Sequence, residues 1–489
     1  MIRTAPRHPW LPDESRMAVR GRLVVRLKED AAPPAIPSHQ DVVRGLGVPT
    51  AGVDGGRVDA VLRRYSPAVR VTRCFSARNA PLRFGRRRHI WDAIEVQTGM
   101  SRTLRVQVDP DTPLLPLIES LWELEAVEEV TPHYLCLTPF EAQRANASAD
   151  GMAADLGWAH RMIRSAEALQ HEPGDRALIV AVVDSGVELR HPELDGRLRP
   201  GIDTVDLEQE FVARGMKLFG DVAGRDRQPD DEMGHGTAVA SIIGARGGRL
   251  PLGVAGPVPL LPIRVLASAR MTNEGTLTAV GAVPDIDAGV KTAVDLGARV
   301  LNLSFGTPGS ALREDDPRPH EDVIRYAQAR GCVLVAASGN AGDDVPYYPA
   351  ALDGVIAVGS VGRTGTPSHF SSRGSHVALC APGEGIPSAA LGASIKAQTG
   401  TSFAAPFVTA ACALLLARAN RMSVPVDAQD LRAALVAGAR PFEGGQKHIG
   451  HGAGILDVPG ALRALEERLL ELEPALAADT VTPAAMGAH

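Results

Sequence analysis

Three short glycine-framed segments carry side chains whose types could together perform nucleophilic chemistry. Asp184 follows the unbroken apolar run Leu178–Val183, His235 stands between two glycines, and Ser402 precedes a long apolar stretch. A serine hydroxyl is a poor nucleophile until a base accepts its proton, and histidine can supply that base near neutral pH. Taken singly, each residue has an ordinary structural explanation, as a turn residue, a core or surface histidine, and a helix N-cap.

The combination is far more specific than any one of these segments. In the order Asp, His, Ser, and with a fourth segment Ala336-Ala337-Ser338-Gly339-Asn340, the chain resembles the subtilisin-like serine proteases (subtilases) over roughly residues 158–460. The resemblance implies an α/β fold with a doubly wound, mostly parallel sheet, and peptide-bond hydrolysis through an acyl-enzyme without a cofactor. It assigns Ser402 as the nucleophile, His235 as its general base and Asp184 as the residue that orients the imidazole.

The same resemblance implies which groups would stabilise the anionic intermediate and hold a substrate. The Asn340 side chain and the Ser402 backbone N–H would form an oxyanion hole. An extended peptide would add as a strand along one edge, with Gly275–Leu277 as a weaker candidate for the opposite edge. The first edge consists of Ser304, Phe305 and Gly306.

The pocket for the side chain next to the scissile bond would also come from the fourth segment. Its lining residues would be Ala337, Ser338 and Gly339. Because these residues are small, we expect an open pocket that accepts a large or apolar side chain.

The region before the catalytic segments has its own organisation. Residues 21–139 contain strand patterns, among them Ile90–Val96, and apolar residues at helical spacing between 113 and 127. They predict a small α+β domain that resembles the propeptides of subtilases. The resemblance implies a zymogen in which this domain acts as an intramolecular inhibitor and chaperone, with its last strand, Val130–Leu137, blocking the active site.

The chain thus divides into five parts. We expect a disordered tail over 1–20, the propeptide-like domain over 21–139, a linker over 140–157, the catalytic domain over 158–460, and a C-terminal helix and tail over 461–489. Short apolar runs in the catalytic part are typical of parallel strands buried on both faces. They are Leu178–Val183, Leu261–Leu266, Val300–Ser304, Val333–Ala337 and Val355–Val358.

Composition excludes several classes of partner. The net charge of −6 gives no reason to expect nucleic acid or an anionic membrane. Five cysteines without a CxxC pair predict buried apolar side chains in a reducing compartment. The N-terminus lacks the apolar segment of a secretory signal, so we expect a cytoplasmic protein. The most apolar segment, Phe403–Ala417, contains a proline and predicts a buried helix.

Metal binding is not predicted. The segment Gly244–Gly253 stands where many subtilases have a calcium loop, but it has no Asn or Asp to supply oxygen ligands. Four aspartates could form a different site, although a solvated acidic loop is the simpler interpretation. These are Asp203, Asp206, Asp230 and Asp231.

Two alternatives to a general endopeptidase remain open at this point. The chain could be a dedicated intracellular protease that trims one precursor. It could instead be a non-catalytic module that binds peptides along the edge Ser304–Gly306, although such a module needs none of the three catalytic residues. In each case the partner is a protein or a peptide.

Overall fold

The computed structural model describes residues 18–28, 36–79, 82–83, 86–87, 90–138, 155–208, 212, 216–224, 228–271, 277–312 and 317–479. Most of the predicted tail over 1–20 and of the linker over 140–157, Gly275 and the last ten residues therefore lie outside the described residues.

The described helices are numbered α1 to α12 in chain order. They are His39–Val43, Arg57–Tyr65, Ala93–Gln97, Leu114–Trp122, Trp158–Met162, Ser165–His171, His235–Gly244, Val283–Asp295, Glu321–Ala329, Thr401–Met422, Ala428–Gly438 and Val458–Asp479.

The described strands are numbered β1 to β20 in the same way. They are Ala18–Leu27, Arg70–Arg73, Leu82–Arg83, Arg86–Arg87, Thr103–Gln107, Val127–Leu137, Ile179–Asp184, Ile202–Asp203, Met216–Phe219, Leu260–Arg264, Ala267–Met271, Leu277–Ala282, Ala298–Leu303, Thr307–Pro308, Val333–Ala337, Tyr347–Tyr348, Val355–Val361, Val377–Pro382, Ile386–Ala390 and Ser394–Gln398.

The centre of the catalytic region is a seven-stranded sheet in the order β18-β17-β15-β13-β7-β10-β8. Every neighbouring pair in it is parallel. Helices α7 and α10 pack on one face, and α8 and α9 pack on the other. The predicted doubly wound, mostly parallel α/β fold is therefore confirmed, and all five apolar runs become strands of this sheet.

Helix α10 lies in the core that covers one face of the parallel sheet. It is long and apolar enough to cross a membrane, but 94% of its most apolar window is buried inside the protein. Its apolar composition is thus explained by packing against β13, β15 and β17. The sequence-based prediction of a buried helix holds for this segment.

A second seven-stranded sheet runs across the boundary between the N-terminal and the catalytic regions. Its order is β2-β5-β1-β6-β12-β11-β9, with antiparallel neighbours. The first four strands belong to the N-terminal region, where α2 and α4 cover a separate apolar core. The last three come from the catalytic region. Strand β6 therefore joins the two regions edge to edge.

The prediction of a strand over Ile90–Val96 is wrong. Residues 93–97 form helix α3, because Asp92 and Glu95 make a capping box in which each carboxylate accepts the backbone N–H of the other residue. The Glu95 carboxylate also accepts the backbone N–H of Arg78. The spacing Asp-x-x-Glu was readable in the sequence and outweighs the β-propensity of the isoleucine and valine.

Candidate active site

Asp184 and His235 are in direct contact. The Asp184 Oδ1 atom lies 2.7 Å from Nδ1 of His235, and both side chains are almost fully buried. The same carboxylate oxygen accepts the backbone N–H of Ser185. Asp184 ends strand β7 and His235 begins helix α7, so this contact joins the carboxyl end of a central strand to a helix N-terminus.

Two glycines allow helix α7 to approach strand β7 this closely. A Cβ atom at Gly236 would lie 2.1 Å from the Gly186 carbonyl oxygen and 3.0 Å from Cβ of Asp184. Gly234 has φ of 93°, a conformation that other residues rarely adopt. The glycines on both sides of His235 therefore set the distance between the imidazole and the carboxylate.

Asp231 organises the turn that leads into His235. Its Oδ1 accepts hydrogen bonds from the Ser185 hydroxyl and from the backbone N–H groups of Met233 and Gly234. Its Oδ2 accepts both the backbone N–H and the hydroxyl of Thr237. Burial raises the pKa of Asp231 above its usual value, although these hydrogen bonds act in the opposite direction. Asp231 thus ties the segment after β7 to the first turn of α7.

Ser402 lies in the first turn of helix α10, which is where a positive helix dipole end favours a developing anion. Its hydroxyl donates to the Ser304 carbonyl oxygen at 3.3 Å, and the Ser304 hydroxyl donates to the Ser402 carbonyl oxygen at 3.0 Å. The ring of the next residue, Phe403, lies 5.1 Å from the His235 ring, centroid to centroid. Ser402 is therefore bound to the edge segment at Ser304, and its neighbour Phe403 contacts the imidazole.

A buried polar chain fixes this part of α10 against β13. The Asn302 side-chain amide donates to the Ser304 hydroxyl at 2.8 Å. The Asn302 Oδ1 atom in turn accepts the Thr409 hydroxyl, two helical turns beyond Ser402, at 2.9 Å. The register between the helix that carries Ser402 and the strand that leads to Ser304 is thus held by hydrogen bonds as well as by packing.

Asn340 is oriented by Thr401. The Asn340 Oδ1 atom accepts the backbone N–H and the hydroxyl of Thr401, at 2.9 and 2.8 Å. Because a backbone N–H can only donate, these bonds identify the oxygen of the amide and turn its NH₂ group the other way. The Thr401 hydroxyl also accepts the backbone N–H of Gly339 at 3.2 Å. The amide NH₂ therefore lies beside the N-terminus of α10, where Ser402 is found.

The last strand of the N-terminal region lies between the predicted substrate edge Ser304–Gly306 and strand β12. Leu137 pairs with Gly306 on one side and with Val280 of β12 on the other. The next residue, Thr138, donates its backbone N–H to the Ala279 carbonyl oxygen at 3.0 Å. Gly306 of the predicted edge is thus paired with an extended chain, and β12 pairs with the same chain through residues beyond Leu277. The opposite edge at Gly275–Leu277 stays a prediction.

Comparison with known proteins identifies the family to which this chain belongs. Residues 175–454, more than half of the chain, match the group of peptidases described as the subtilase family. The chain belongs to the subtilase family.

Two curated relatives show how far the similarity extends. Thermitase from Thermoactinomyces vulgaris is 34% identical over 248 residues, which span 50% of this chain and 76% of thermitase. The thermophilic serine proteinase from Bacillus sp. strain AK1 is 34% identical over 247 residues, which span 50% of this chain and only 54% of that protein. The solved structure of prenylagaramide maturation protease PagA has a TM-score of 0.49 and 27% identity, covering 62% of this chain and 98% of that one.

The expected open pocket of this subtilase is not present. Ala337, Ser338 and Gly339 lie at and just beyond the end of β15, as predicted, but the ring of Tyr347 occupies the space between Gly339 and Gly306. The prediction failed because it considered only the residues of the pocket's own wall. Tyr347 is close to that wall in the sequence, but no periodic pattern indicated that its side chain turns back into the pocket.

The interpretation of the four aspartates as a solvated acidic loop is wrong for three of them. Asp203 is buried against Arg264, and burial raises the pKa of its carboxyl to about 6. Asp206 pairs with His39 at 2.8 Å and thereby contacts the N-terminal region. Asp231 accepts hydrogen bonds within the turn that leads into His235. Of the four aspartates, only Asp230 is exposed. Within the described residues, no group of three or more His, Cys, Asp or Glu side chains could hold a metal ion.

The segment Gly244–Gly253 is held in place by hydrogen bonds to other parts of the protein. Arg246 and Leu252 form a bridge, and the buried Glu193 carboxylate accepts the backbone N–H groups of Gly248, Arg249 and Leu250. A carboxylate thus receives the amides of this loop, whereas a calcium site would need the loop to present oxygen atoms. The absence of calcium at this position stays a prediction.

All five cysteines are buried and free, which fits the prediction that they serve as small apolar side chains. Three of them also make polar contacts, since Cys332 and Cys380 donate to backbone carbonyl oxygens and Cys136 contacts two side chains. Cys136, in strand β6, has its sulfur 3.0 Å from the Thr307 hydroxyl and 3.2 Å from Nε2 of His320. The other nitrogen of His320 lies 2.5 Å from Asp287. This chain of contacts joins the strand in the groove to helices α8 and α9 of the catalytic region.

Proposed function

We propose that this subtilase hydrolyses peptide bonds with Ser402, His235 and Asp184 as its catalytic triad. The observation that carries the proposal is the 2.7 Å contact between Asp184 and His235 beside the helix N-terminus that bears Ser402. His235 Nδ1 is hydrogen-bonded to the Asp184 carboxylate, so Nε2 is the nitrogen that would accept the Ser402 proton. A module that only binds peptides would need no such buried Asp–His pair.

In the proposed reaction, the Ser402 hydroxyl turns from the Ser304 carbonyl towards Nε2 of His235 and attacks the scissile carbonyl. The proton moves to the imidazole, and Asp184 stabilises the imidazolium that forms. The oxyanion accepts hydrogen bonds from the Ser402 backbone N–H and from the Asn340 amide. The imidazolium then protonates the leaving amine, and a water molecule releases the acyl group by the same route.

We further propose that the chain is made as a zymogen whose N-terminal region inhibits the active site. Support comes from the register of strand β6, since Leu137 takes the hydrogen-bonding positions of Gly306 that a substrate would need. The Leu137–Gly306 pairing is antiparallel, so β6 points towards Ser304 at its C-terminal end. The strand would therefore act as a tethered substrate analogue that competes with free peptides.

Buried ion pairs between the two regions support the same proposal. Arg105 of the N-terminal region contacts Asp285 of α8 at 2.5 Å, and Lys291 of α8 contacts Glu95 at 2.7 Å. All four side chains are almost fully buried. Both pairs form only when the two regions are docked in this arrangement, although desolvation of the charges offsets much of their attraction. The cytoplasmic location remains a prediction.

Peptide turnover tests the proposed function. The full chain and the variants Ser402→Ala and Ser394→Ala are incubated with a mixed peptide library, and products are measured by mass spectrometry. We expect internal cleavage by the wild type and by Ser394→Ala, whose serine lies in strand β20, at a rate that the N-terminal strand lowers but does not abolish, and none by Ser402→Ala. Cleavage that survives in Ser402→Ala would overturn the proposal.

A further inference from the structure

The space beside Ser402 that should receive a substrate side chain lies between two loops. One wall is the segment Ser304–Gly306 after β13, which is held against Ser402 by the Ser304 hydroxyl. The other wall is Ser338–Asn340 after β15, which is held against the same helix by Thr401. Because β13 and β15 are adjacent parallel strands, their carboxyl ends open a slot that begins at the nucleophile.

The ring of Tyr347 lies in this slot, between Gly306 on one wall and Gly339 on the other. A methyl group placed at Gly306 would lie 2.6 Å from Cε1 of Tyr347, and one placed at Gly339 would lie 3.3 Å from its Cγ. Each wall thus contributes a glycine at the point where it meets the ring, and the ring spans the distance between them. Tyr347 is 9% exposed, so the slot is filled by protein.

The backbone around Tyr347 holds the ring in this position. Strand β16 pairs with β14, so that Tyr347 lies opposite Pro308 and Tyr348 lies opposite Thr307. The carbonyl oxygen of Pro346 accepts the backbone N–H of Gly309 at 2.6 Å. The backbone that carries the ring is therefore anchored to the continuation of the substrate edge itself.

The hydroxyl of Tyr347 reaches the chain that lies in the groove. It donates a hydrogen bond to the Leu137 carbonyl oxygen at 3.2 Å, and the same oxygen accepts the backbone N–H of Gly306 at 3.1 Å. Burial raises the pKa of Tyr347 well above its usual value, so the hydroxyl stays protonated and remains a donor at any working pH. A substrate in the same register would present a carbonyl oxygen at this point.

From these contacts we infer that Tyr347 determines the substrate preference of this protease. Its ring shortens the pocket for the P1 side chain, the residue on the acyl side of the scissile bond, and selects glycine, alanine or serine there. Its hydroxyl binds the substrate backbone at the carbonyl that Leu137 occupies in the present structure. The inference deepens the proposed function and rests on it, since it concerns the same groove.

The size of the expected preference follows from what a large side chain must displace. Leucine or phenylalanine at P1 would have to move a buried ring that is held on two sides. Discrimination of apolar side chains by pocket size alone typically spans about 10- to 200-fold in kcat/KM. We therefore expect alanine peptides to be cleaved at least about tenfold more efficiently than otherwise identical phenylalanine peptides.

Three variants of the full chain separate the two roles of Tyr347. Tyr347→Gly removes the ring and should shift the preference towards leucine and phenylalanine. Tyr347→Phe keeps the ring but loses the hydroxyl, so the P1 preference should persist while KM rises several-fold for all peptides alike. The matched control is Tyr348→Phe in the same short strand, whose ring lies beneath Arg318, and its P1 profile should equal that of the wild type.

The experiment measures kcat/KM for peptides that differ only at P1, namely Gly, Ala, Ser, Leu and Phe, in the wild type and the three variants. The series is repeated in a Leu137→Pro background, where the groove is open. A wild-type preference for Phe or Leu would overturn the inference, even if Tyr347→Gly failed to fold. So would an unchanged profile in a folded Tyr347→Gly. A fluorophosphonate probe added first distinguishes the failures, since lack of labelling at Ser402 counts against the proposed function and a labelled enzyme with the wrong profile counts only against Tyr347.

Discussion

Leu137 and Gly306 exchange two backbone hydrogen bonds, with N···O distances of 3.4 and 3.1 Å. One residue belongs to the last strand of the N-terminal region and the other to the edge along which a substrate would pair. The same strand is bound on its other side by β12, where Thr138 donates to Ala279. The N-terminal region thus contributes the strand that lies between Gly306 and β12.

Loss of one of these two bonds should activate the protease. Leu137→Pro removes the N–H that donates to Gly306, and proline disrupts a strand that is paired on both sides. We expect peptide turnover by the full chain to rise about tenfold, since a lost hydrogen bond of about 1 kcal/mol and local distortion both weaken the strand. Leu137→Ala, which keeps the N–H, should change turnover much less. Equal turnover in the wild type and both variants would show that the strand is not inhibitory.

The contact between Cys136 and His320 should make the stability of the protein depend on pH. Burial alone would lower the pKa of His320, but Cys136 and Asp287 outweigh it and raise the pKa to about 10. A histidine whose pKa is raised in the folded state contributes to the free energy of unfolding. That contribution is fully present below the unfolded pKa of about 6.5 and is lost as the pH rises through about 10.

Urea unfolding of the full chain between pH 6 and 10 measures this effect. The free energy of unfolding should fall as the pH rises, and the fall should be smaller in His320→Asn. Asparagine is chosen because the backbone at this position has φ of 70°, which asparagine tolerates. Identical pH profiles for the two proteins would contradict the assignment of this dependence to His320.

Asp231 should be a positioning residue for His235. In Asp231→Asn, an NH₂ group replaces one of two oxygens that together accept five hydrogen bonds, so at least one buried donor loses its partner. We expect a loss of about 1–3 kcal/mol in the free energy of unfolding and a lower kcat with little change in KM. The exposed neighbour provides the control, because Asp230→Asn should alter stability by no more than about 0.5 kcal/mol. If both variants unfold and react like the wild type, the turn does not depend on Asp231.

The orientation of Asn340 should matter almost as much as its presence. Asn340→Ala should lower kcat by about 10²–10³, the range known for the side-chain oxyanion donor of subtilisin. Thr401→Val removes the hydroxyl that binds Asn340 Oδ1 and should lower kcat by about tenfold without a large change in KM. Thr401→Ser keeps that hydroxyl and should stay close to the wild type. Steady-state kinetics decide the matter, and a Thr401→Val enzyme with wild-type kcat would contradict the proposed role.

The sequence predicted the parallel sheet because strands buried on both faces are continuous apolar runs, as at Leu178–Val183. Asp184, His235, Ser402 and Asn340 were indicated by the combined resemblance of their segments to subtilases, since each catalytic residue taken singly has an ordinary structural explanation. The local signal was misread at Asp92, where a capping box starts a helix.

Residues that act across long sequence separations could not be found in this way. Asp231 looked like part of an acidic loop because nothing local shows that its carboxylate faces Ser185 and Thr237. Tyr347 fills a slot whose walls come from two other segments, so the pocket's size depends on tertiary packing. The pairing of β6 with β12 likewise joins residues about 140 positions apart, and only the folded chain reveals it.

The central claim is that Ser402 is a nucleophile activated by His235. The most direct measurement is reaction of the full chain with a fluorophosphonate, followed by mass spectrometry of its peptides to locate the adduct. The account predicts a single phosphonylated site at Ser402, with no adduct in Ser402→Ala and a reaction at least about 10³-fold slower in His235→Ala. An adduct at another serine, or equal labelling of the wild type and His235→Ala, would contradict it.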